Sequence, residues 1–597
     1  MQQHLNMKQF FKYVLATIVG ILCVGAVISF FGIIMMGVMI AADSAKPSLK
    51  EGTVLRISLN GSINERAVDN PFADLLNSNV AKTQGLDDIL KAIKVAKTNK
   101  DISGIYLEGG AMSADYATAQ ELRRALLDFK QSKKFILAYG DNYEQGAYYV
   151  ASVADKLLIN PSGMIAWHGI ASQPIFFTDL LKKVGVKMQV FKVGTYKSAV
   201  EPFILTGMSD ANREQVSAFV GDIWKNVCND VAASRKISID SLNAYADNYT
   251  TFAEPQQYVT NHLADSLAYA DGVRAKLRTL SKQDKVNFIS PAELAKLDES
   301  KRADGTIAVY YAQGDIVDQV ASNSITDNAQ YIVGSKVVQD LDQLANDDDV
   351  KAVVLRINSG GGSAYASEQM WRAVQLLKQK KPVVVSMSGM AASGGYYMSC
   401  GADYIVAEPT TLTGSIGIFG MIPDMSGLMT EKLGLHFDVV KTNKSSDFGA
   451  MGRPFNADEA NAMQQYVNRG YKQFIDRVAA GRHMTPEQVD RIGQGRVWTG
   501  NQALAIKLVD KLGTLDDAIA IASQRAKLQS YNVMPYPAKV SWIDQFTQAT
   551  IKRDYMEEKM QAALGEYYAP LRFVSSLNGA NAQSWMQARV FYVPNLK

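Results

Sequence analysis

The sequence predicts an α/β protein made of two tandem copies of one domain behind an N-terminal transmembrane helix. Three observations predict it. Residues 13–42 carry no charge, the chain matches itself at an offset of 248 residues, and β-rich runs alternate with helical patterns inside each copy. Strand–helix alternation is the signature of parallel-sheet units. A chain of 597 residues also exceeds one ordinary domain.

The uncharged run YVLATIVGILCVGAVISFFGIIMMGVMIAA comes first. As a helix it would be roughly 45 Å long, against a hydrocarbon core of about 30 Å. A cleaved leader has an apolar stretch of only about 7–15 residues. Lys8 and Lys12 precede the run and should stay on the cytoplasmic side. Residues 1–51 therefore read as a short cytoplasmic end, a single-pass anchor and a linker, with the rest of the chain exported.

The repeat is read from Leu107 and Leu355, Arg124 and Arg372, Asp155 and Asp403, Pro161 and Pro409, and Gly169 and Gly417. Further on, DVAASRKI from Asp230 matches RVAAGRHM from Arg477 at an offset of 247. This period is far longer than any solenoid repeat, so the copies are fused domains. Residues 52–297 form the first copy, the polar stretch 298–304 the linker and residues 305–527 the second copy. Residues 528–597 read as a helical extension. In the second copy IAVYYA, KAVVLRI and KPVVVSMS read as buried strands, and ASEQMWRAVQLLKQ as an amphipathic helix.

Composition excludes several functions. A net charge of +3 is nearly balanced over this length, which gives nucleic acid no footprint. The three cysteines lack zinc-site spacing, and the five histidines are scattered. No metal or organic cofactor is implied.

Two loops of the second copy suit acyl-transfer chemistry. In the first, the strand VVLRI runs into Asn358-Ser359-Gly360-Gly361-Gly362-Ser363. A glycine run exposes backbone N–H groups, which stabilise an oxyanion, bind a phosphate or simply turn. In the second, KPVVVSMS runs into GMAASGGYYMSC, with Ser393 at a strand-to-helix elbow. A serine there is an exposed nucleophile or a helix N-cap. The first copy discriminates: it reads GDNYEQGAYYVAS, with Gln145 in place of the serine, and has Glu108-Gly109-Gly110-Ala111 for the glycine run. Both devices survive in one copy only, which suggests one site in the whole chain.

A nucleophilic serine needs a base. His168 aligns with Ile416, and His436 lies in an ordinary strand-like run, so a histidine base is poorly supported. Lys197, in VFKVGTYKSAVEPF, follows a strand in a tight glycine-led loop. Lys444, in VVKTNKSSDFGA, aligns with it at an offset of 247 and stands as the alternative base. At an ordinary pKa of about 10.4 roughly one lysine in 2,500 is neutral at pH 7, and lowering that pKa to near 7 costs about 4 kcal/mol. Desolvation between two domains is one source of such a shift.

GTYKSAVEPF, the serine elbow and NSGGGS together resemble the signal peptide peptidase A family of membrane-anchored Ser/Lys-dyad proteases. The likeness covers the anchor, both repeats and their order. It implies the crotonase-like α/β fold shared with Clp-type proteolytic subunits. It implies Ser393 as nucleophile, Lys197 as general base, and backbone N–H groups of Gly361 (or Gly362) and Gly394 as the oxyanion hole. Family members commonly carry proline where Gly360 stands, so this loop is freer here. The resemblance further implies a homotetramer in the bacterial inner membrane, its catalytic body on the periplasmic side. Its substrates would be cleaved signal peptides and other extended apolar peptides, bound by strand addition. An acyl-CoA hydratase or hydrolase on the same fold, and a non-catalytic membrane scaffold, are the competing readings.

Overall fold

The computed structural model describes residues 49–67, 83–298, 303–319, 331–450, 452–539 and 586–590, with some positions between 12 and 30. Most of the apolar run 13–42 lies outside the described residues, as do most of the linker and the expected C-terminal helix. Among the described residues no helix is long and apolar enough to cross a membrane.

The first copy is built on strands β1 (Thr53–Ser58), β2 (Ile102–Glu108), β3 (Phe135–Tyr143) and β4 (Lys156–Ile165). They run parallel in that order, with Phe288–Ile289 and Ser266–Leu267 on the two edges. Helices α1 (Tyr116–Phe129) and α2 (Gln145–Ala151) lie between successive strands. Beyond β4, helix α3 (Asp210–Arg235) follows the short strand β5 (Lys187–Lys192).

The second copy repeats the plan. Strands β6 (Thr306–Gln313), β7 (Val350–Ser359), β9 (Val383–Ala392) and β10 (Leu412–Gly414) are parallel neighbours in its main sheet. Helix α4 (Ala364–Lys378) covers the sheet where the amphipathic pattern placed it, and α5 (Gly394–Ser399) follows β9. All ten residues of β9 are buried. A parallel strand covered on both faces has no solvent side, so even the two serines of β9, Ser386 and Ser388, are buried.

A third sheet joins the copies. It contains β8 (Gly361–Ser363), β11 (Phe419–Asp424), β12 (Met586–Arg589) and β5, in the order β8–β12–β11–β5. β5 belongs to the first copy by sequence, yet it pairs antiparallel with β11 of the second, Lys192 opposite Phe419 and Lys187 opposite Asp424. Phe177, Val186, Met188, Val200 and Phe203 bury themselves against Phe419 and Met421. The first copy thus lends a strand and its loop to the second, and Lys197 stands just beyond that strand.

Buried charge crosses the same boundary. Arg356 on β7 donates to Glu65 at 2.7 Å, to Glu121 on α1 at 2.5 Å, and to Ser386 and Ser388 at 2.9 and 3.1 Å. Glu121 also accepts the Leu515 N–H at 2.8 Å. The guanidinium and both carboxylates are almost fully buried.

Candidate active site

β9 delivers Ser393 to the start of α5. The residue holds φ 54° and ψ −111°, and its side chain makes no capping bond to the helix. Ser363, at the start of α4, does cap: it accepts the Ala366 N–H. Positive φ in a residue with a Cβ costs about 1–3 kcal/mol and is held by its surroundings. Here the Ser393 N–H donates to Gly414 O at 2.8 Å. The N-cap reading of Ser393 therefore fails on geometry, and its hydroxyl turns elsewhere.

It turns to Lys197. The amine nitrogen lies 2.9 Å from Ser393 Oγ, 3.0 Å from Ser415 Oγ and 3.4 Å from Ser415 O. Lys197 is 1% exposed and Ser393 0%. Burial pushes the lysine pKa down to about 7, because an ammonium loses its hydration there. The Phe419 ring centroid lies 5.9 Å from the amine. Glycines make room for the lysine: a Cβ on Gly495, at φ +78°, would fall 2.7 Å from Lys197 Cα, and one on Gly417 would fall 3.1 Å from Lys197 Cδ.

Three oxygens around one nitrogen suit a neutral amine. Its two hydrogens can go to the Ser415 oxygens, which leaves the lone pair to accept the Ser393 hydroxyl proton. Ser415 was not singled out from sequence. The signal was present, because the same offset sets it against Trp167, an exchange of the same kind as Ser393 against Gln145.

Lys444 is not at this site. It is 83% exposed and pairs with Asp458, an exposed contact that holds its pKa above the ordinary value.

The glycine loop lies against the elbow. A Cβ on Gly361, at φ +95°, would sit 2.6 Å from Gly394 N and 2.0 Å from Ala588 O, so only glycine fits. The Gly361 N–H donates to Ser359 Oγ at 3.1 Å, and Ser359 Oγ donates in turn to Gly314 O at 2.7 Å. Gly362 stands opposite Ala588 in the strand pairing of β8 with β12.

In the first copy Gln145 fills the corresponding corner. Its Oε1 accepts the N–H groups of His168 and Gly169, each at 3.0 Å, and its Nε2 donates to Gly169 O at 3.0 Å. An amide that bonds three times to one loop is a structural plug. His168, set aside as a base on sequence grounds, meets Gln145 through its backbone.

The comparisons agree with this architecture. The model of peptidase family S49 matches residues 128–284 and 375–529, and the Clp protease model matches residues 314–410. Protease 4 of Salmonella typhi is 37% identical over 524 residues, which cover 85% of this chain and 82% of that protein. Protease 4 of Haemophilus influenzae is 34% identical over 477 residues, covering 76% and 75%. The chloroplastic serine protease SPPA of Arabidopsis thaliana is 30% identical over 493 residues, covering 80% and 70%. With two matched copies and relatives of nearly its full length, the chain belongs to peptidase family S49, as a serine protease carrying the family's domain in tandem.

Proposed function

We propose that the chain is a membrane-anchored endopeptidase with a Ser393–Lys197 dyad that degrades cleaved signal peptides and other extended apolar peptides. The observation that carries this reading is the 2.9 Å contact between a buried lysine amine and the strained elbow serine. Neutral Lys197 takes the Ser393 proton as Oγ attacks the scissile carbonyl. The oxyanion rests on the amides of Gly394 and Gly361, the latter exchanging Ser359 Oγ for the substrate oxygen. The ammonium returns its proton to the leaving amine, which departs and leaves an acyl-enzyme. Water then attacks the ester with Lys197 again as base, releasing acid and regenerating the serine. A positioned base contributes about 10²–10⁴-fold, and one oxyanion donor about 10²–10³-fold.

The test is hydrolysis of an apolar signal-sequence peptide, with mass-spectrometric capture of the acyl-enzyme. A serine adduct in the wild type and none in Ser393→Ala is expected. Full turnover by Ser393→Ala would remove the serine from the mechanism.

The anchor and the assembly belong to the same proposal. Residues 13–42 would hold the chain in the bacterial inner membrane with both copies on the periplasmic side. Alkaline carbonate extraction should leave the full chain with membranes and release a chain lacking 13–42; release of both would exclude the anchor. For the homotetramer, support comes from a repeated segment. GVKMQVFK from Gly185 contains β5, while its counterpart GLHFDVVK from Gly434 lies exposed, with Leu435, Phe437, Val439 and Val440 all at least half exposed. A segment buried in one copy and bare in the other fits docking onto the first copy of a neighbouring chain.

A further inference from the structure

We infer that Gln215 is a positioning residue: its side-chain amide holds both neighbours of Lys197 and so sets the lysine amine against Ser393. This role presupposes the Ser393–Lys197 dyad proposed above. A lysine carries its amine on a flexible four-carbon stem. The amine is therefore placed only as well as the backbone beneath it, and here that backbone is a loop, residues 194–198.

Gln215 lies on α3 and is 2% exposed. Its Nε2 donates to Tyr196 O at 3.0 Å and to Ser198 Oγ at 2.9 Å, one on each side of Lys197, and lies 3.2 Å from Asn212 Oδ1. Its Oε1 accepts the Val497 N–H at 3.1 Å. That last bond fixes which end of the amide is which, because a backbone N–H needs an acceptor. One side chain of the first copy thus grips the loop of the base and a strand of the second copy.

That strand, Val497–Thr499, is the edge of the second copy's main sheet and pairs antiparallel with β10, Val497 opposite Gly414. Gly414 O accepts the Ser393 N–H at 2.8 Å, and the Ser415 N–H donates to Arg496 O at 2.7 Å. Ser393 and Ser415 are the serines whose hydroxyls meet the amine. The contacts close a ring, from Gln215 through the flanks of Lys197 to its amine, then through the two serines to Arg496 and Val497 and back. Asp222, about two turns further along α3, accepts from Thr499 Oγ1 and Asn501 Nδ2, so the helix is docked along the same edge.

The repeat points the same way. At the offset of 247, α3 matches the helix Ala457–Arg482, and there an exposed alanine, Ala462, stands where Gln215 does. The amide occurs in the copy that supplies the base.

The test is a double-mutant cycle. Labelling of Ser393 by a fluorophosphonate is timed in the full chain for the wild type, Gln215→Met, Lys197→Ala and the double variant. Methionine keeps the length of the side chain and removes its hydrogen bonds. Gln215→Met should label about 10²-fold more slowly, the loss expected when a catalytic group is misplaced by about 1 Å. Added to Lys197→Ala it should change the rate by less than about twofold, because the amide acts through the lysine. With an apolar reporter peptide, Gln215→Met should lower kcat and leave KM within about twofold of the wild type. Ile223→Ala, also on α3 but buried in the core of the first copy, controls for lost stability and should label at the wild-type rate. If Gln215→Met does not fold, Gln215→Asn, whose amide is one carbon short, is read in the same cycle. A wild-type rate in the folded Gln215 variant, an equal loss with and without Lys197, or the same loss in Ile223→Ala overturns the inference. A wild-type rate in Lys197→Ala overturns the dyad itself, so the two failures are told apart.

Discussion

At the scale of the residue, the proposed dyad rests on a lysine whose pKa burial lowers. The sign of the energetics follows from its pKa, which falls from 10.5 to about 7. Between those values the unfolded chain binds more protons than the folded one, so stability rises with pH across that window. Below about pH 7 the cost is complete, on the order of 5 kcal/mol. Lys197→Met keeps the apolar stem and removes the titration. Calorimetry should therefore show the variant melting above the wild type at pH 6, with the gap closing toward pH 10. A gap that does not change with pH would contradict desolvation of this amine. Ser393 and the glycine loop stood out in the sequence because one copy keeps what the other has lost, whereas both copies carry a lysine and Lys197 stood out by its glycine-led loop. Ser415 carried the same mark but does its work through geometry, as the second and third oxygen around the amine, and no motif encodes that.

Among the elements, the strand–helix units were readable from buried apolar runs and amphipathic periodicity, as in β9 and α4. Two pairings were not. β5 joins a strand more than two hundred residues away, and β12 enters a sheet formed by residues far upstream. Periodicity reports which face of a strand is buried, never which edge it meets. The same limit applies to the degenerate elbow. Gln145 looked like a lost function, while its three bonds to residues 168 and 169 show a gained structural one. Gln145→Ser should not create a second active site. It leaves buried amide groups without partners and should destabilise the chain by about 1–3 kcal/mol in urea denaturation. An unchanged midpoint would deny Gln145 its role as a plug.

In the whole molecule, the two copies act as one body because charge and strands cross between them. Arg356 is the centre of that junction, held by Glu65 and Glu121 from the first copy. Arg356→Leu strands two buried carboxylates and should cost about 3–5 kcal/mol, seen as a lower urea midpoint; a loss below 1 kcal/mol would make the junction incidental. At the next level, Phe437→Asp in the exposed GLHFDVVK segment should reduce the assembly measured by sedimentation, without loss of fold by circular dichroism. An unchanged assembly would place the interface elsewhere.

The claim that organises all of this is that Lys197 of the first copy, once neutral, activates Ser393 of the second. The most direct test is the rate of Ser393 labelling by a fluorophosphonate across pH, in the wild type, Lys197→Ala and Lys444→Ala. The account predicts a rate that rises with one ionisation near pH 7 in the wild type and in Lys444→Ala alike. In Lys197→Ala it should fall by about 10²–10⁴-fold and lose that ionisation. Retention of rate and ionisation by Lys197→Ala, or their loss in Lys444→Ala, would contradict it.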